Sequence, residues 1–451
     1  MTLQQDRPTT RRPPRVLDSR DQDAISDVRD RVSGGLATWL ASPALNFYGL
    51  IVVGLLLVGT GVVMVLSSSA VANVARGGSG YGGLYSQGVF AAVGLALAVT
   101  AACLPVGFYR KAAWLLLAIG LVLQSLILTP LGFGAGGNLA WVRIGPISFQ
   151  PAEMLKLALA VWLGMVLARK RHLLSQPFHV LIPLAPVAIA ALGLVMLGHD
   201  LGTMMIMAML IGGAMWVAGL PRRWFLGAVG AGLVGIVFFV VTSSNRMRRI
   251  EDWFHGTCAG DNCLQSDRGL QALASGGWWG VGLGESRLKW GLLPEADNDF
   301  IFAIIGEELG LVGTLGVLAL FAALALLMFR MIIRAEDPFV QITVGAISAW
   351  ILGQAFVNMM VVAGLLPVLG VPLPFISSGG SALITSMIAL GLLISFARQE
   401  PGAREAIGAR IGRVRRSTSV MPAPARTRST GSTRARSGGS NRARRRPGRS
   451  R

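Results

Sequence analysis

Long apolar runs separated by short polar breaks dominate the 451-residue chain. We interpret apolar runs of about 17–25 residues as membrane-spanning helices. The pattern then predicts ten spans, at residues 47–66, 88–104, 112–129, 151–168, 180–197, 201–220, 224–241, 300–330, 340–365 and 375–397. The predicted fold class is an all-α polytopic membrane protein with a large extracellular loop, residues 243–299, between its seventh and eighth helices.

Composition agrees with this pattern. The chain is 53% hydrophobic and only 14% charged, which is typical of polytopic membrane proteins. The first apolar run lies behind about 45 polar residues and is too long for a cleavable signal peptide, so we expect it to remain as a span. Most of the 41 Lys and Arg residues lie in the tails and in the loops that share the amino terminus's side of the predicted membrane. Because Lys and Arg are enriched in cytoplasmic segments, both tails are predicted to be cytoplasmic.

Two basic tails flank the predicted membrane domain of residues 46–398. Residues 1–45 and the Arg-, Ser-, Gly- and Pro-rich residues 399–451 have too few large apolar residues to bury a core, so both are predicted to be disordered. Because the net charge of +19 is concentrated there, we expect no nucleic-acid binding. The carboxy-terminal tail is expected to contact anionic inner-leaflet lipids or, alternatively, an acidic partner.

The chain has three cysteines, which is too few for a disulfide scaffold or a cysteine metal cluster. Cys103 lies in an apolar run and is expected to be a small core residue. Cys258 and Cys263 lie in the predicted extracellular loop, where they could form a disulfide.

A carboxylate-rich stretch leads into the eighth predicted helix. We expect one of Asp297, Asn298 and Asp299 to cap that helix by accepting a backbone N–H. The helix dipole stabilises a charged carboxylate at this position, so another of them can act as an accessible base. Glu307 and Glu308 lie roughly 12 Å further along at about 1.5 Å per residue, where a structural pairing is the expected role.

Other ionisable residues also lie near predicted span ends. Glu153 and Lys156 are three residues apart and can form an ion pair on one helix face. The competing hypothesis is that Lys156 and Arg143 present cations to an anionic lipid headgroup. Asp200 is expected to cap the sixth helix, and His199 beside it lacks the further ligands of a metal site.

Two irregular segments complete the predicted outer face. In the large loop, the glycines of residues 280–284 would permit a tight turn, and Arg287 and Lys289 follow them closely. Residues 364–381 are too rich in Pro and Gly to be helical throughout. Irregular backbone at membrane depth must be covered by protein or line a polar cavity.

Several motifs occur together in one order along residues 45–398. They are Trp141-Val142-Arg143-Ile144-Gly145, Phe149-Gln150-Pro151-Ala152-Glu153, Asp200-Leu201-Gly202-Thr203, Gly282-Leu283-Gly284-Glu285-Ser286, Leu293-Pro294-Glu295-Ala296, Asp299-Phe300-Ile301-Phe302-Ala303, Glu307-Glu308-Leu309-Gly310, Pro372-Leu373-Pro374-Phe375-Ile376-Ser377 and Gly379-Gly380-Ser381. With these motifs the chain resembles the shape, elongation, division and sporulation (SEDS) family of bacterial cell-wall polymerases. It is more similar to the division members than to the elongation members.

The resemblance implies a glycosyltransferase that polymerises lipid II on the outer face of the bacterial cytoplasmic membrane, at the division septum. It maps the catalytic general base onto Asp299, in an inverting reaction. The expected substrate-binding residues are Arg143, Lys156, Arg246, Lys289, Glu295 and Ser377. A divalent cation, Mg²⁺ or Mn²⁺, could assist. A cognate class B penicillin-binding protein and other division proteins are the implied partners.

Two functions from other classes remain as alternatives. A lipid II flippase would require alternating access, and the lack of a detectable inverted repeat counts against it. A non-enzymatic division scaffold would depend on the tails and would tolerate the loss of Asp299.

Overall fold

The structure is a computed structural model that describes residues 42–75, 77, 81–135, 138–174, 176–255, 261–290, 292–406 and 408. The predicted disorder of the two tails falls almost entirely outside these residues. The proposed disulfide also lies outside them, since Cys258 falls in a gap and the side chain of Cys263 is not among those described.

The described chain is mainly helical. Its helices are Leu45–Ala75 (α1), Gly82–Cys103 (α2), Val106–Ser125 (α3), Pro151–Arg169 (α4), Pro177–Leu197 (α5), Leu201–Ala218 (α6), Arg222–Val241 (α7), Ser244–His255 (α8), Asp261–Ser275 (α9), Ile301–Arg334 (α10), Pro338–Val362 (α11) and Gly380–Arg398 (α12). The strands are Gly132–Ala135 (β1), Asn138–Ile144 (β2) and Ile147–Phe149 (β3).

Nine of the described helices are long and apolar enough to cross a membrane. The predicted span at residues 180–197 corresponds to α5, whose apolar part, Ile182–Leu197, is shorter than the nine candidate spans. Helix α5 also carries Pro183 and Pro186 inside its first half. The predicted helical, multi-span fold is confirmed, with α5 as its shortest apolar segment.

The structure moves several predicted boundaries, and the changes at α12 and α1 have a clear physical cause. Helix α12 begins at Gly380 rather than at residue 375, because Phe375 has a positive φ of 67° that cannot continue a helix. Helix α1 ends at Ala75, well beyond the predicted residue 66. Its extra turns contain serines and alanines, which are helix-compatible but weaken the apolar signal from which the boundary was predicted.

Two features of the outer segments were not predicted. Strands β1, β2 and β3 form a three-stranded antiparallel sheet in that order, with Arg143 opposite Ser148. The predicted loop of residues 243–299 contains α8 and α9. Both helices are shorter and more polar than a membrane span, so a search for apolar runs passes over them.

Helices pack closely where small residues meet. A Cβ atom added to Gly391 of α12 would lie 2.2 Å from the carbonyl oxygen of Ala98 on α2. Small residues let membrane helices approach to backbone contact in this way. Helices α4 and α11 lie innermost and bury the large side chains of Trp162 and Trp350.

Helix α10 is broken at Gly310, whose φ of 65° and ψ of −160° are not helical. The break leaves the carbonyl oxygens of Glu307 and Glu308 without their usual partners four residues later. Both oxygens instead accept hydrogen bonds from the glycine-rich segment before α10, through Val281 N–H (2.9 Å) and Gly282 N–H (3.1 Å). The loop thereby satisfies buried polar groups that the break exposes.

The backbone N–H groups that follow the break at Gly310 also find hydrogen-bond acceptors in the glycine-rich segment. Leu311 N–H donates to the carbonyl oxygen of Gly277 (2.9 Å), and Val312 N–H donates to that of Trp278 (3.3 Å). The tight glycine turn that the sequence predicts is confirmed, with φ values of 79° at Gly280, 109° at Gly282 and 85° at Gly284. These four hydrogen bonds fix the turn to α10.

We expect Gly310→Ala to destabilise the protein, because a Cβ at this position would lie 2.4 Å from Gly280 N and the backbone φ is positive. Strained backbone of this kind costs roughly 1–3 kcal/mol. The matched control is Gly316→Ala on the same helix, where a Cβ would meet nothing within 4 Å. The control should be neutral or slightly stabilising. Thermal unfolding in detergent measures both, and equal midpoints for the two variants would contradict the prediction.

Candidate active site

Asp299 lies in the turn directly before the amino-terminal end of α10. The N-cap residue is Phe300, whose side chain makes no capping hydrogen bond. The expectation that Asp297, Asn298 or Asp299 caps this helix is therefore wrong. The physical reason is that the turn closes on its own backbone, since Phe300 N–H donates to the carbonyl oxygen of Glu295 (3.1 Å).

Three consecutive carbonyl oxygens of this turn are held by donors from other elements. They belong to Asp297, Asn298 and Asp299, and their donors are, in the same order, Ser378 N–H (2.8 Å), Ser377 Oγ (2.7 Å) and Asn358 Nδ2 (2.7 Å). We call this set the carbonyl clamp. It fixes the main chain on which the Asp299 carboxylate is carried.

The Pro- and Gly-rich segment before α12 covers the site. Ser377 is 5% exposed, and its Oγ also accepts a hydrogen bond from Leu373 N–H (2.7 Å). Gly370 lies beside the catalytic candidate, because a Cβ added there would be 3.5 Å from Asp299 Oδ2. The predicted substrate-binding residue Ser377 thus has its hydroxyl engaged within the protein, where it holds the turn.

Glu295 lies exposed on the surface of the same turn and has a positive φ of 54°. Its carboxylate accepts a hydrogen bond from Asn298 Nδ2 (3.3 Å). It therefore places a second negative charge four residues before Asp299, on the exposed side of the turn.

Two arginines, Arg143 and Arg246, are predicted to bind the substrate. Arg143 is exposed on β2, with its guanidinium carbon 4.3 Å from the centroid of the Phe133 ring. Stacking on the ring orients the guanidinium and leaves its N–H groups available to an anion. Arg246 belongs to α8, and its side chain lies outside the described residues.

Lys289 is buried, and its charge is neutralised inside the protein. Its Nζ lies 3.0 Å from Glu308 Oε1 and donates to the carbonyl oxygen of Gly284 (2.6 Å). Ser67 of α1 donates its hydroxyl to the same carboxylate (2.7 Å). The predicted structural pairing of Glu308 is confirmed, and the predicted anion-binding Lys289 is its partner.

Glu307 fixes the same loop through a second carboxylate. It accepts hydrogen bonds from Ser286 Oγ (2.5 Å) and from Arg287 N–H (2.9 Å). The side chains of Glu307 and Glu308 thus hold the loop before Asp299 onto α10, while their carbonyl oxygens hold the glycine turn.

The Glu153–Lys156 ion pair on α4 is confirmed, with 2.9 Å between Lys156 Nζ and Glu153 Oε1. Lys156 Nζ also donates to Gln354 Oε1 (2.8 Å) and lies over the Trp350 ring. Because Lys156 is only 1% exposed, the competing hypothesis that it presents its charge to a lipid headgroup is not supported.

The predicted cap of the sixth span is confirmed. Asp200 Oδ1 accepts from Thr203 N–H (2.9 Å) at the start of α6. Its Oδ2 accepts from Gln150 Nε2 (3.1 Å), which links α6 to the residue before α4.

Two residues near the site, Gln354 and Asn358, were not predicted from the sequence. Gln354 and Asn358 are buried and polar, four residues apart on the mostly apolar α11. Polar side chains inside a membrane span are costly and are by default functional candidates, and this spacing places both on one face. Applied to α11, that rule identifies both residues from the sequence.

A family model described as a cell cycle protein, for FtsW, RodA and SpoVE, matches residues 48–401. This range includes the carbonyl clamp, Asp299 and nearly all of the spans. The chain belongs to the SEDS family. With nine candidate spans among its described helices, this SEDS protein is a multi-pass membrane protein of FtsW-like sequence.

Relatives within the SEDS family include the probable peptidoglycan glycosyltransferases FtsW of Mycobacterium tuberculosis and Marinobacter nauticus. The first is 38% identical over 373 residues, which cover 82% of this chain and 71% of the relative. The second is 36% identical over 354 residues, covering 76% and 87% respectively.

Solved structures show the same fold. A peptidoglycan synthase complex described as coordinating polymerization and crosslinking contains a chain that is 26% identical, with a TM-score of 0.65. The rod shape determining protein RodA of Thermus thermophilus is also 26% identical, with a TM-score of 0.59. Each comparison covers 78% of this SEDS protein and 97% of the solved chain.

Proposed function

We propose that this SEDS protein is a peptidoglycan glycosyltransferase of the FtsW type, which polymerises lipid II into glycan strands with Asp299 as its general base. The observation that carries the proposal is Asp299 itself. It is a partly buried carboxylate at the outer end of α10, on a main chain held by three successive carbonyl hydrogen bonds. Relatives named as glycosyltransferases at up to 38% identity support the reaction class.

The reaction is a single displacement. Asp299 accepts the proton of the 4-hydroxyl of the acceptor N-acetylglucosamine, and that oxygen forms a bond to the anomeric carbon of the donor muramyl unit. The bond between the anomeric carbon and the pyrophosphate oxygen breaks, and undecaprenyl pyrophosphate leaves. An α-linked donor gives a β-linked product, so inversion requires one base and no covalent carboxylate intermediate.

The leaving pyrophosphate requires positive charge close to it. We assign this role to Arg143, an exposed cation on β2, and to Arg246 on α8. Lys156 and Lys289 act indirectly, because both are buried against carboxylates. Ser377 positions the catalytic turn, and the exposed Glu295 orients the acceptor sugar.

A divalent cation, Mg²⁺ or Mn²⁺, would neutralise part of the leaving-group charge. The described residues contain no group of three or more His, Cys, Asp and Glu side chains that could hold a metal ion. Mg²⁺ usually binds through one or two carboxylates together with substrate phosphates. The exposed Glu295 is the carboxylate on the site's turn that would suit such a substrate-dependent ion.

The proposal extends to partners and location. A class B penicillin-binding protein would supply the crosslinking activity, a pairing supported by the likeness to a peptidoglycan synthase complex. The protein would act with other division proteins at the septum, with both tails in the cytoplasm. There the basic carboxy-terminal tail would bind anionic inner-leaflet lipids.

The test is polymerisation of labelled lipid II by the purified protein, with and without its cognate class B penicillin-binding protein. We expect glycan strands, with more product when the partner is present. Movement of labelled lipid II across vesicle membranes without polymer would instead support the flippase. Normal division in cells that express a polymerisation-inactive variant would support the scaffold.

A further inference from the structure

We propose that Asn358 is a positioning residue for the general base: its amide sets the main chain of Asp299 and couples it to the Pro-rich segment before α12. The inference rests on the proposed role of Asp299. Asn358 lies on α11 and is 2% exposed. A buried amide inside an apolar span is costly unless it is hydrogen-bonded.

Both protons of the Asn358 amide are used. Nδ2 donates to the carbonyl oxygen of Asp299 (2.7 Å) and to that of Val371 (2.8 Å). The two carbonyls belong to segments more than seventy residues apart in sequence, the turn before α10 and the segment before α12. One side chain on a buried helix therefore joins the two irregular segments that form the site.

Gln354 makes the corresponding contact one helical turn earlier. Its Nε2 donates to the carbonyl oxygen of Pro372 (2.8 Å), the residue after Val371. Its Oε1 accepts from Lys156 Nζ (2.8 Å) and from Trp350 Nε1 (3.0 Å). Successive carbonyls of the Pro-rich segment are thus held by successive residues on one face of α11.

This arrangement connects the buried Glu153–Lys156 ion pair to the catalytic turn. The ion pair fixes the Gln354 amide, Gln354 fixes Pro372, and the adjacent Val371 shares the Asn358 amide with Asp299. Because the carbonyl of Asp299 belongs to the residue that carries the base, its hydrogen bond restricts where the carboxylate can lie. Misplacement of a catalytic group by about 1 Å can cost on the order of 100-fold in rate.

The test compares Asn358→Leu with the matched control Asn46→Leu in the polymerisation assay. Asn46 is also a fully buried asparagine, and its Nδ2 donates to Glu400 near the cytoplasmic ends of α1 and α12. We expect Asn358→Leu to lower kcat by roughly 10- to 100-fold with little change in the KM for lipid II. Asn46→Leu should retain the wild-type kcat, although both variants lose a buried hydrogen bond and some thermal stability.

A second readout does not depend on catalysis. Amide hydrogen exchange of residues 295–301 should accelerate in Asn358→Leu and remain at the wild-type rate in Asn46→Leu, because only the former releases the Asp299 carbonyl. Asn358→Asp, which keeps the shape but cannot donate to both carbonyl oxygens, should also lower kcat. If Asn358→Leu yields no folded protein, Asn358→Ser, which keeps one donor, should give an intermediate kcat.

Equal kcat values for Asn358→Leu and Asn46→Leu, or unchanged exchange at residues 295–301, would overturn the inference. A change in KM alone would also overturn it, since that result indicates substrate binding. Failure of the general-base proposal is distinguishable, because it shows as activity in Asp299→Asn and leaves the exchange result for Asn358 unaffected.

Discussion

Asp299→Asn is expected to remove most of the lipid II polymerisation while leaving the fold intact. Asparagine has the same shape and can keep the main-chain contacts of the carbonyl clamp, because Asn358 binds the backbone oxygen and not the carboxylate. It cannot accept the proton of the acceptor hydroxyl. Loss of a positioned general base typically lowers the rate by about 10²- to 10⁴-fold.

The measurement is the rate of glycan-strand formation by the purified variant in complex with its partner. Asp297→Asn is the matched control, since it neutralises a neighbouring carboxylate while keeping the carbonyl oxygen that Ser378 N–H contacts. We expect the control to stay within a few-fold of wild type. Wild-type polymerisation by a folded Asp299→Asn variant would exclude the assigned base. Division supported by that variant, without polymerisation, would favour the scaffold function.

The membrane spans could be predicted because they depend on a local property, a run of apolar residues. The pairing of Glu153 with Lys156 and the cap at Asp200 were also accessible, since both partners lie within three residues of each other. The position of Asp299 directly before the helix that the structure shows as α10 was also predictable, because the apolar run of that helix begins at Phe300. These features require only the order of residues along the chain.

The features that escaped prediction depend on contacts between distant segments. Capping of α10 by an aspartate was the reasonable expectation from Asp297-Asn298-Asp299, but Ser377, Ser378 and Asn358 hold that turn from elsewhere in the chain. No rule for a single segment shows that Ser377 faces Asn298.

The two lysines show that the sequence also does not reveal which charged side chains are buried. Lys289 stands in a polar loop and suggests a solvent-facing cation, yet it is buried against Glu308. Lys156 is similarly buried, and its second partner, Gln354, lies on another helix. A cation's exposure depends on which carboxylate the fold brings to it, and sequence spacing reveals this only when both lie on one helix.

Breaking the Lys289–Glu308 pair from one side is expected to be strongly destabilising. The two side chains are 3% and 0% exposed, so Lys289→Met leaves a buried carboxylate, and Glu308→Leu leaves a buried ammonium. Removal of one partner from a buried ion pair costs about 3–5 kcal/mol. The double variant leaves no unpaired charge. Its loss of stability should therefore be smaller than the sum of the stability losses of the two single variants.

Arg110→Met provides the matched control. Arg110 and Asp337 also form an ion pair between two helices, but their side chains are 41% and 40% exposed. Exposed pairs contribute only about 0–1 kcal/mol, so this variant should unfold close to wild type. Thermal unfolding in one detergent compares all four variants. If the losses of Lys289→Met and Glu308→Leu simply add in the double variant, the pair is not coupled. The loop before Asp299 would then be held to α10 by its backbone hydrogen bonds and by Glu307.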